Sequence, residues 1–198
     1  MKRFISGGAI VGAVLLTAGS CATAIAADKP TRRFTLTSSD VSLQTAMPAI
    51  YGGNLWGCTG GNQSPPLAWR NAPTGTKSFV LTIFDDNVRE DPSGWWHWVV
   101  YDLPPSTDHL PAGVGAEHSA SLPAGAMQGR TDLGTDAYHG PCPGEGDAPH
   151  RYIFTVYALS IAKLDVPPDS SGAMVTAATE GSVLAKATFI MRYGRKKN

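Results

Sequence analysis

Cysteine is scarce in this sequence: its 198 residues contain three, Cys21, Cys58 and Cys142. None are spaced C-x-x-C, which leaves out the zinc and dithiol motifs built on that spacing. Its five histidines include no H-x-x-x-H pair, so no helix-borne metal pair is written into the chain. It has no G-x-S-x-G nucleophile elbow, and Ser93, ahead of Gly94-Trp95, has no nucleophile context. An excess of one charge is missing as well, with 16 Lys+Arg against 16 Asp+Glu. The basic residues form no stripe beyond the tail Arg192, Arg195, Lys196 and Lys197, which argues against nucleic acid as a partner. Past the N-terminal segment no apolar run reaches the length of a membrane-spanning helix, and there is no repeat or heptad pattern.

The N-terminal segment itself has the order of an export signal. Lys2 and Arg3 precede an apolar run from Phe4 to Thr17, no acid occurs before Asp28, and Ala24-Ile25-Ala26 offers a small-residue cleavage site. The expectation is a signal peptide over residues 1–26 and a single domain over residues 27–198, placed in the periplasm or secreted. Losing Lys2 and Arg3 takes the 16 basic residues to 14 against 16 acidic, a net charge of −2. Two alternatives stand beside cleavage: a retained N-terminal anchor, and lipid attachment at Cys21. The small residues Ala18-Gly19-Ser20 suit lipidation, but the large aliphatic residue preferred three positions upstream is absent. Cleavage leaves Cys58 and Cys142, each in a Gly/Pro-rich loop. In an oxidising compartment two such thiols read as a disulfide, with two free thiols as the alternative.

What the chain has in quantity is turn residues, 22 glycines and 15 prolines, which cut it into short segments. Phe34-Thr35-Leu36-Thr37 alternates as a half-buried strand does. Ser78 to Phe84 is nearly continuous apolar and β-branched, the pattern of a strand covered on both faces. Trp96 to Tyr101 predicts another strand, which Leu103-Pro104-Pro105 ends because proline cannot donate to a ladder. Tyr152 to Leu159 and Ala187 to Tyr193 add two more. Between these last two, Ser170 or Ser171 can cap a helix whose Met174, Ala177, Ala178, Gly181 and Leu184 recur at helical spacing to about Lys186. The stretch from Pro104 to Ala148 is a long Gly/Pro-rich loop region, and loops of that length in a compact domain are usually functional. The fold class expected is mainly β, with one C-terminal helix.

The unusual polar residues collect at strand ends. Asp85-Asp86-Asn87 follows the apolar strand and is either a turn signal or a site. His97 lies in the aromatic run Trp95-Trp96-His97-Trp98, where alternation places Trp96 and Trp98 on one face and Trp95 and His97 on the other. A lone strand histidine is more often a satisfied core residue than a ligand. Its company changes the reading: Gly140-Pro141-Cys142-Pro143-Gly144 can expose backbone N–H groups, and His150-Arg151-Tyr152 opens another strand. His109, His118 and His139 sit among loop residues and are expected to be solvated.

These motifs, in this order, resemble the phosphatidylethanolamine-binding proteins, and in particular their bacterial Raf-kinase-inhibitor-like branch. The likeness runs from Phe34-Thr35-Leu36 through Asn62-Gln63-Ser64-Pro65-Pro66-Leu67-Ala68-Trp69 to the helix near the C-terminus. It implies a large antiparallel β-sheet packed against a smaller one, with a shallow anion pocket at one end. By that resemblance Asp85, Trp95, His97, Gly140, Pro141, Cys142, Pro143, His150 and Tyr152 line the pocket, Trp95 as an apolar wall. One departure is visible: the family's usual Asp-Pro-Asp is Asp85-Asp86-Asn87 here, an amide and no proline.

The implied function is a binding module for a phosphorylated or carboxylate group, carried by a phospholipid headgroup, a small metabolite or a partner protein that it regulates. No cofactor and no metal is implied, and bacterial relatives suggest a homodimer. Such a ligand needs donors, which an imidazole, backbone N–H groups and a phenol supply. Asp85 would repel it unless the carboxylate hydrogen-bonds a histidine, fixing its tautomer, or meets the ammonium of a zwitterionic headgroup. Two rivals remain: a hydrolase with His97 and Asp85 as a general acid/base pair, and a metal site drawing on His97, His139, His150 and Asp85. Neither has a supporting motif.

Overall fold

The computed structural model describes Met1, residues 32–88 and residues 93–197. The expected signal segment, its cleavage site and Cys21 lie outside the described residues, and every element below falls in the unit that starts at Arg32.

Among the described residues eight strands form two antiparallel sheets. The smaller sheet has the order β1-β2-β5, from β1 (Thr35–Thr37), β2 (Leu67–Arg70) and β5 (His109–Leu110). The larger has the order β6-β4-β3-β7-β8, from β3 (Ser78–Asp85), β4 (Trp95–Leu103), β6 (Met127–Gln128), β7 (His150–Leu159) and β8 (Val183–Tyr193). The long stretch after Pro104 contributes only β5 and β6 and is otherwise irregular.

β3 lies at the centre of the large sheet, which explains its unbroken apolar sequence. Phe79, Leu81 and Ile83 point into the core between the sheets, where they join Leu36, Leu67 and Trp69 of the smaller sheet with Val100, Phe154 and Val156. Val80 points the other way, into a second cluster with Val99, Tyr101, Leu159, Leu164 and Val175. Val175 belongs to α1 (Gly172–Ala178), which covers that outer face. Two-sided burial of this kind requires apolar residues at every position, so the alternation typical of a half-exposed strand disappears.

α1 is shorter than the periodicity predicts. Ser171 caps it as expected, its hydroxyl accepting from the Met174 N–H at 3.3 Å. The helix then stops at Ala178, and Gly181 takes a left-handed φ of +76° in the turn that leads into β8. Gly181 and Leu184 therefore do not lie on a buried helical stripe, and β8 starts at Val183 rather than at Ala187. Glycine is the residue that reverses the chain without a Cβ penalty, so its helical spacing with Ala177 is coincidental.

A second correction concerns β4. Ile83 pairs with Trp98 and Phe84 with Trp96, leaving His97 as the extra residue of a β-bulge. A bulge puts two successive residues on one side and re-aims a side chain. Trp98 is consequently buried between the sheets, while Trp96 packs on Phe84 with ring centroids 4.5 Å apart and faces Gly172 of α1. Trp96 and Trp98 thus lie on opposite faces, not on one.

Leu81 is fully buried at the middle of the central strand. Leu81→Ala should lower stability by about 2–5 kcal/mol through lost burial and a residual cavity. Urea denaturation monitored by tryptophan fluorescence checks this; an unchanged midpoint would contradict the central placement of β3.

Candidate functional site

Antiparallel pairing brings three strand ends together at one end of the large sheet. Asp85, the last residue of β3, pairs with Trp95 at the start of β4 and with Tyr152 near the start of β7. A cavity of about 290 Å³ opens there. Its lining includes Asp85, Trp95, His97, Gly140, Cys142, Pro143, His150 and Tyr152. Pro141 does not line it; this proline is buried behind the wall, where its carbonyl accepts from the Gly53 N–H at 2.9 Å.

The polar floor is buried: Asp85 is 2 % exposed and His97 and His150 are each 7 %. Asp85 is the hub. Its Oδ2 accepts from His150 Nδ1 at 2.7 Å and its Oδ1 accepts from the Asn87 N–H at 2.9 Å. Burial, reinforced by the Asp85 charge, raises the Tyr152 phenol well above its ordinary value. The carboxylate is therefore paired with His150 and not with His97, so the His97/Asp85 acid/base pair of the hydrolase reading is not formed.

His97 has a different partner. Its Nδ1–H donates to the His139 carbonyl at 2.7 Å, and the His139 N–H returns a bond to the His97 carbonyl at 2.9 Å. Burial pushes the His97 imidazole down to about 4, against the opposing pull of the His139 carbonyl and the Asp85 charge. The ring is neutral at pH 7, with its proton on Nδ1 and its lone pair on Nε2.

His139 corrects the expectation of a solvated loop histidine. It is half-buried, lines the cavity, and its Nε2 lies 2.7 Å from the Thr135 hydroxyl. Burial lowers its proton affinity as well. His109 and His118 do sit in solvent, with side chains 68 % and 92 % exposed. Trp56, Val88, Leu133 and Asp147 also line the cavity without having been expected there, and Gly144 lines it as the last residue of the Gly140–Gly144 loop.

Cys58 and Cys142 form a disulfide across a separation of 84 residues, and this bond carries Trp56 to the cavity mouth. Trp56 meets Trp95 edge-on with centroids 6.2 Å apart. Arg195 braces the same wall from behind, bonding the Gly57 carbonyl at 3.0 Å, the Pro143 carbonyl at 3.4 Å and Glu145 at 2.7 Å. Gly140 must be glycine: a Cβ would lie 2.4 Å from the Gly52 carbonyl carbon and 2.5 Å from the Gly53 nitrogen. Where the family's proline is missing, the end of β3 is held by the Arg151–Asp86 ion pair at 2.8 Å and the Asp86 N–H bond to the Arg151 carbonyl at 3.3 Å. Among the described residues no group of three or more His, Cys, Asp or Glu side chains is arranged to hold a metal ion.

The two-sheet β-fold thus carries a small cavity over a buried polar floor, a shape suited to holding a small ligand. The sequence pattern of the phosphatidylethanolamine-binding protein family matches residues 37–194, and the chain belongs to that family. It is 42 % identical to the UPF0098 protein YbcL of Escherichia coli K12, over 72 % of this chain and 77 % of that protein. It is 47 % identical to YbhB of the same strain, over 71 % of this chain and 87 % of that one. The crystal structure of E. coli YbcL superposes with a TM-score of 0.79 at 39 % identity, covering 82 % of this chain and 99 % of that one. A homologue from Chlamydia trachomatis, CT736, gives 0.68 at 32 % identity, with 82 % and 98 % covered.

Two outcomes follow. With its proton affinity lowered from 6.5 to about 4, His97 contributes stability above pH 6.5 that is lost as the pH falls toward 4. Its imidazole resonances should accordingly show no titration between pH 7 and pH 5 by NMR, and a midpoint near 6.5 would refute its burial. Gly140→Ala should destabilise the protein by roughly 1–3 kcal/mol or more by overpacking against backbone that cannot yield, read as a lowered thermal midpoint.

Proposed function

We propose that this protein is an exported binding protein whose cavity takes a small anionic group, a phosphate or carboxylate presented by a phospholipid headgroup, a metabolite or a partner protein. The observation that carries this reading is the cavity wall. Cys142 and Gly144 line it, and neither backbone N–H has an acceptor among the described residues. Unpaired amides on a Gly/Pro loop are ready donors for an oxyanion. The negative charge of Asp85 is meanwhile engaged by His150 and the Asn87 N–H. Trp56, Trp95, Val88 and Leu133 supply apolar walls for whatever carries the anion. Export rests on the basic and apolar N-terminal pattern with its Ala24-Ile25-Ala26 site, and the Cys58–Cys142 disulfide is consistent with an oxidising compartment. Regulation of a partner, and pairing with a second copy of the chain, extend the same reading.

The Trp56–Trp95 pair at the mouth is a built-in reporter. Phosphate, phosphorylethanolamine or acetate should change tryptophan fluorescence saturably, and His97→Ala should remove the response. No saturable change with any of the three would overturn the reading. Intact-mass analysis of the protein recovered from an exporting bacterial host should show loss of residues 1–26 with Cys58 and Cys142 oxidised.

A further inference from the structure

The two loops that form the cavity wall are joined at two levels. At the base the joints are hydrogen bonds: the Gly53 N–H to the Pro141 carbonyl at 2.9 Å, the Gly140 N–H to Asn62 Oδ1 at 2.8 Å, and the Tyr138 hydroxyl to the Tyr51 carbonyl at 2.7 Å. The Gly60 N–H closes the neck of the first loop on the Gly53 carbonyl at 2.8 Å. Beyond that neck lies a tip, residues 54–59, which carries Trp56 to the cavity mouth. Its covalent tie to the rest of the protein is the Cys58–Cys142 bond; Arg195 adds a contact with the Gly57 carbonyl at 3.0 Å, and Trp56 meets Trp95 edge-on. Trp56 and Gly57 have successive left-handed φ of +50° and +80°. Glycine takes that conformation freely, but a tryptophan holds it only where its surroundings over-determine it. The Trp56 side chain is 68 % exposed, so packing does little of the holding. The constraint sits two residues on, at Cys58. Both cysteines are only half-buried, so a reductant in solvent can reach the bond.

We propose that the Cys58–Cys142 bond is a redox latch on the cavity mouth: its reduction releases the tip with Trp56, leaves the base and the floor in place, and loosens the hold on a ligand. This rests on the anion-binding reading above and adds a regulation of that same site. The reductant is a dithiol. One of its thiolates attacks a sulfur of the bond, forming a mixed disulfide and expelling the other cysteine as a thiolate. Its second thiolate then displaces the remaining cysteine. The dithiol leaves as its own disulfide, having given up two electrons and two protons, and Cys58 and Cys142 take these up as two thiols. With the bond open, Trp56 relaxes out of the left-handed region and away from Trp95, and the mouth loses one of its apolar walls. A ligand must then re-order the tip as it binds, a cost that the closed bond removes.

Dithiothreitol serves as the probe dithiol. Added to the intact protein under native conditions, it should free two thiols, which alkylation and peptide mass place at Cys58 and Cys142. The indole N–H resonances of Trp56 and Trp95, assigned with Trp56→Phe and Trp95→Phe, should move. Hydrogen exchange should rise at residues 54–59 and stay unchanged at Gly53, Gly60 and Gly140. Affinity for inorganic phosphate, read by calorimetry, should fall about threefold or more, the size expected when an ordered side chain and its loop must be immobilised on binding. Cys58→Ser should match the reduced protein and respond no further to dithiothreitol; should this variant not fold, the reduced wild type decides alone. A bond that dithiothreitol opens only by unfolding the protein, or complete reduction with no change at residues 54–59, overturns the latch. A released tip with unchanged phosphate affinity overturns its control of binding. If neither phosphate nor acetate binds in either redox state, the anion reading fails, and the indole and exchange data still decide whether the tip is released.

Discussion

The site depends on the paired bonds between His97 and His139. One residue too many in β4 forces a bulge, and a bulged residue has no ladder partner of its own. The loop residue His139 supplies one: its N–H takes the His97 carbonyl, and its carbonyl takes the His97 ring proton. The two bonds fix the side chain, its tautomer and the approach of the whole 139–144 segment to the sheet. Had β4 run regularly, alternation would have turned His97 to the face covered by α1, away from Tyr152. Instead its ring meets Tyr152 edge-on at 5.2 Å, over the inter-sheet core. Packing on one side and hydrogen bonding on the other thus set the cavity floor.

The second buried arrangement, Asp85 with His150, obeys the same economy of polar groups. A carboxylate 2 % exposed is tolerable only when its lone pairs are taken up. Asp85 has an imidazole, which arrives because β3 ends where β7 begins, and the Asn87 amide of the turn that follows β3. A buried pair of this kind adds little net stability over apolar packing. Its retention at a cavity floor fits a role in positioning: the 2.7 Å bond fixes the His150 ring.

Much of this was legible in the sequence, for identifiable reasons. The strands β3 and β7 announce themselves because burial on both faces needs unbroken apolar runs, and Asp85, His97, His150 and Tyr152 stand out as polar residues where such runs begin or end. The pairing of Asp85 with one particular histidine was not legible, since the choice between His97 and His150 is made by the register of β3 against β7. The bulge was invisible too, because one residue of offset leaves no mark on composition. It reversed the facing of Trp96 relative to Trp98. His139 reads as a solvated loop histidine because its bonds to His97 come from its backbone, and a backbone role leaves no residue-type signature. Trp56 was missed although Cys58 stands two residues away. Once Cys58 and Cys142 are bonded, the chain beside one is obliged to lie beside the other, so the disulfide was the signal that pointed to it. The helix was overextended because Gly181 happened to fall at helical spacing, whereas its conformational freedom serves the turn.

The wall and the floor are held by different forces, and that difference bears on how the protein can bind. The floor is fixed by burial within the sheet. The wall, by contrast, is loop, and a loop would ordinarily lose entropy on closing around a ligand. Here that entropy is already lost on folding. The Cys58–Cys142 bond ties the two loops in front, Arg195 ties Gly57 and Pro143 behind, and the close contact of Gly140 with Gly52 and Gly53 leaves no room for a side chain between them. Chain-entropy arguments put an 84-residue cross-link at about 4–5 kcal/mol. The cavity is therefore shaped before anything enters it, because the Cys58–Cys142 bond and the Arg195 contacts leave these loops little freedom to rearrange.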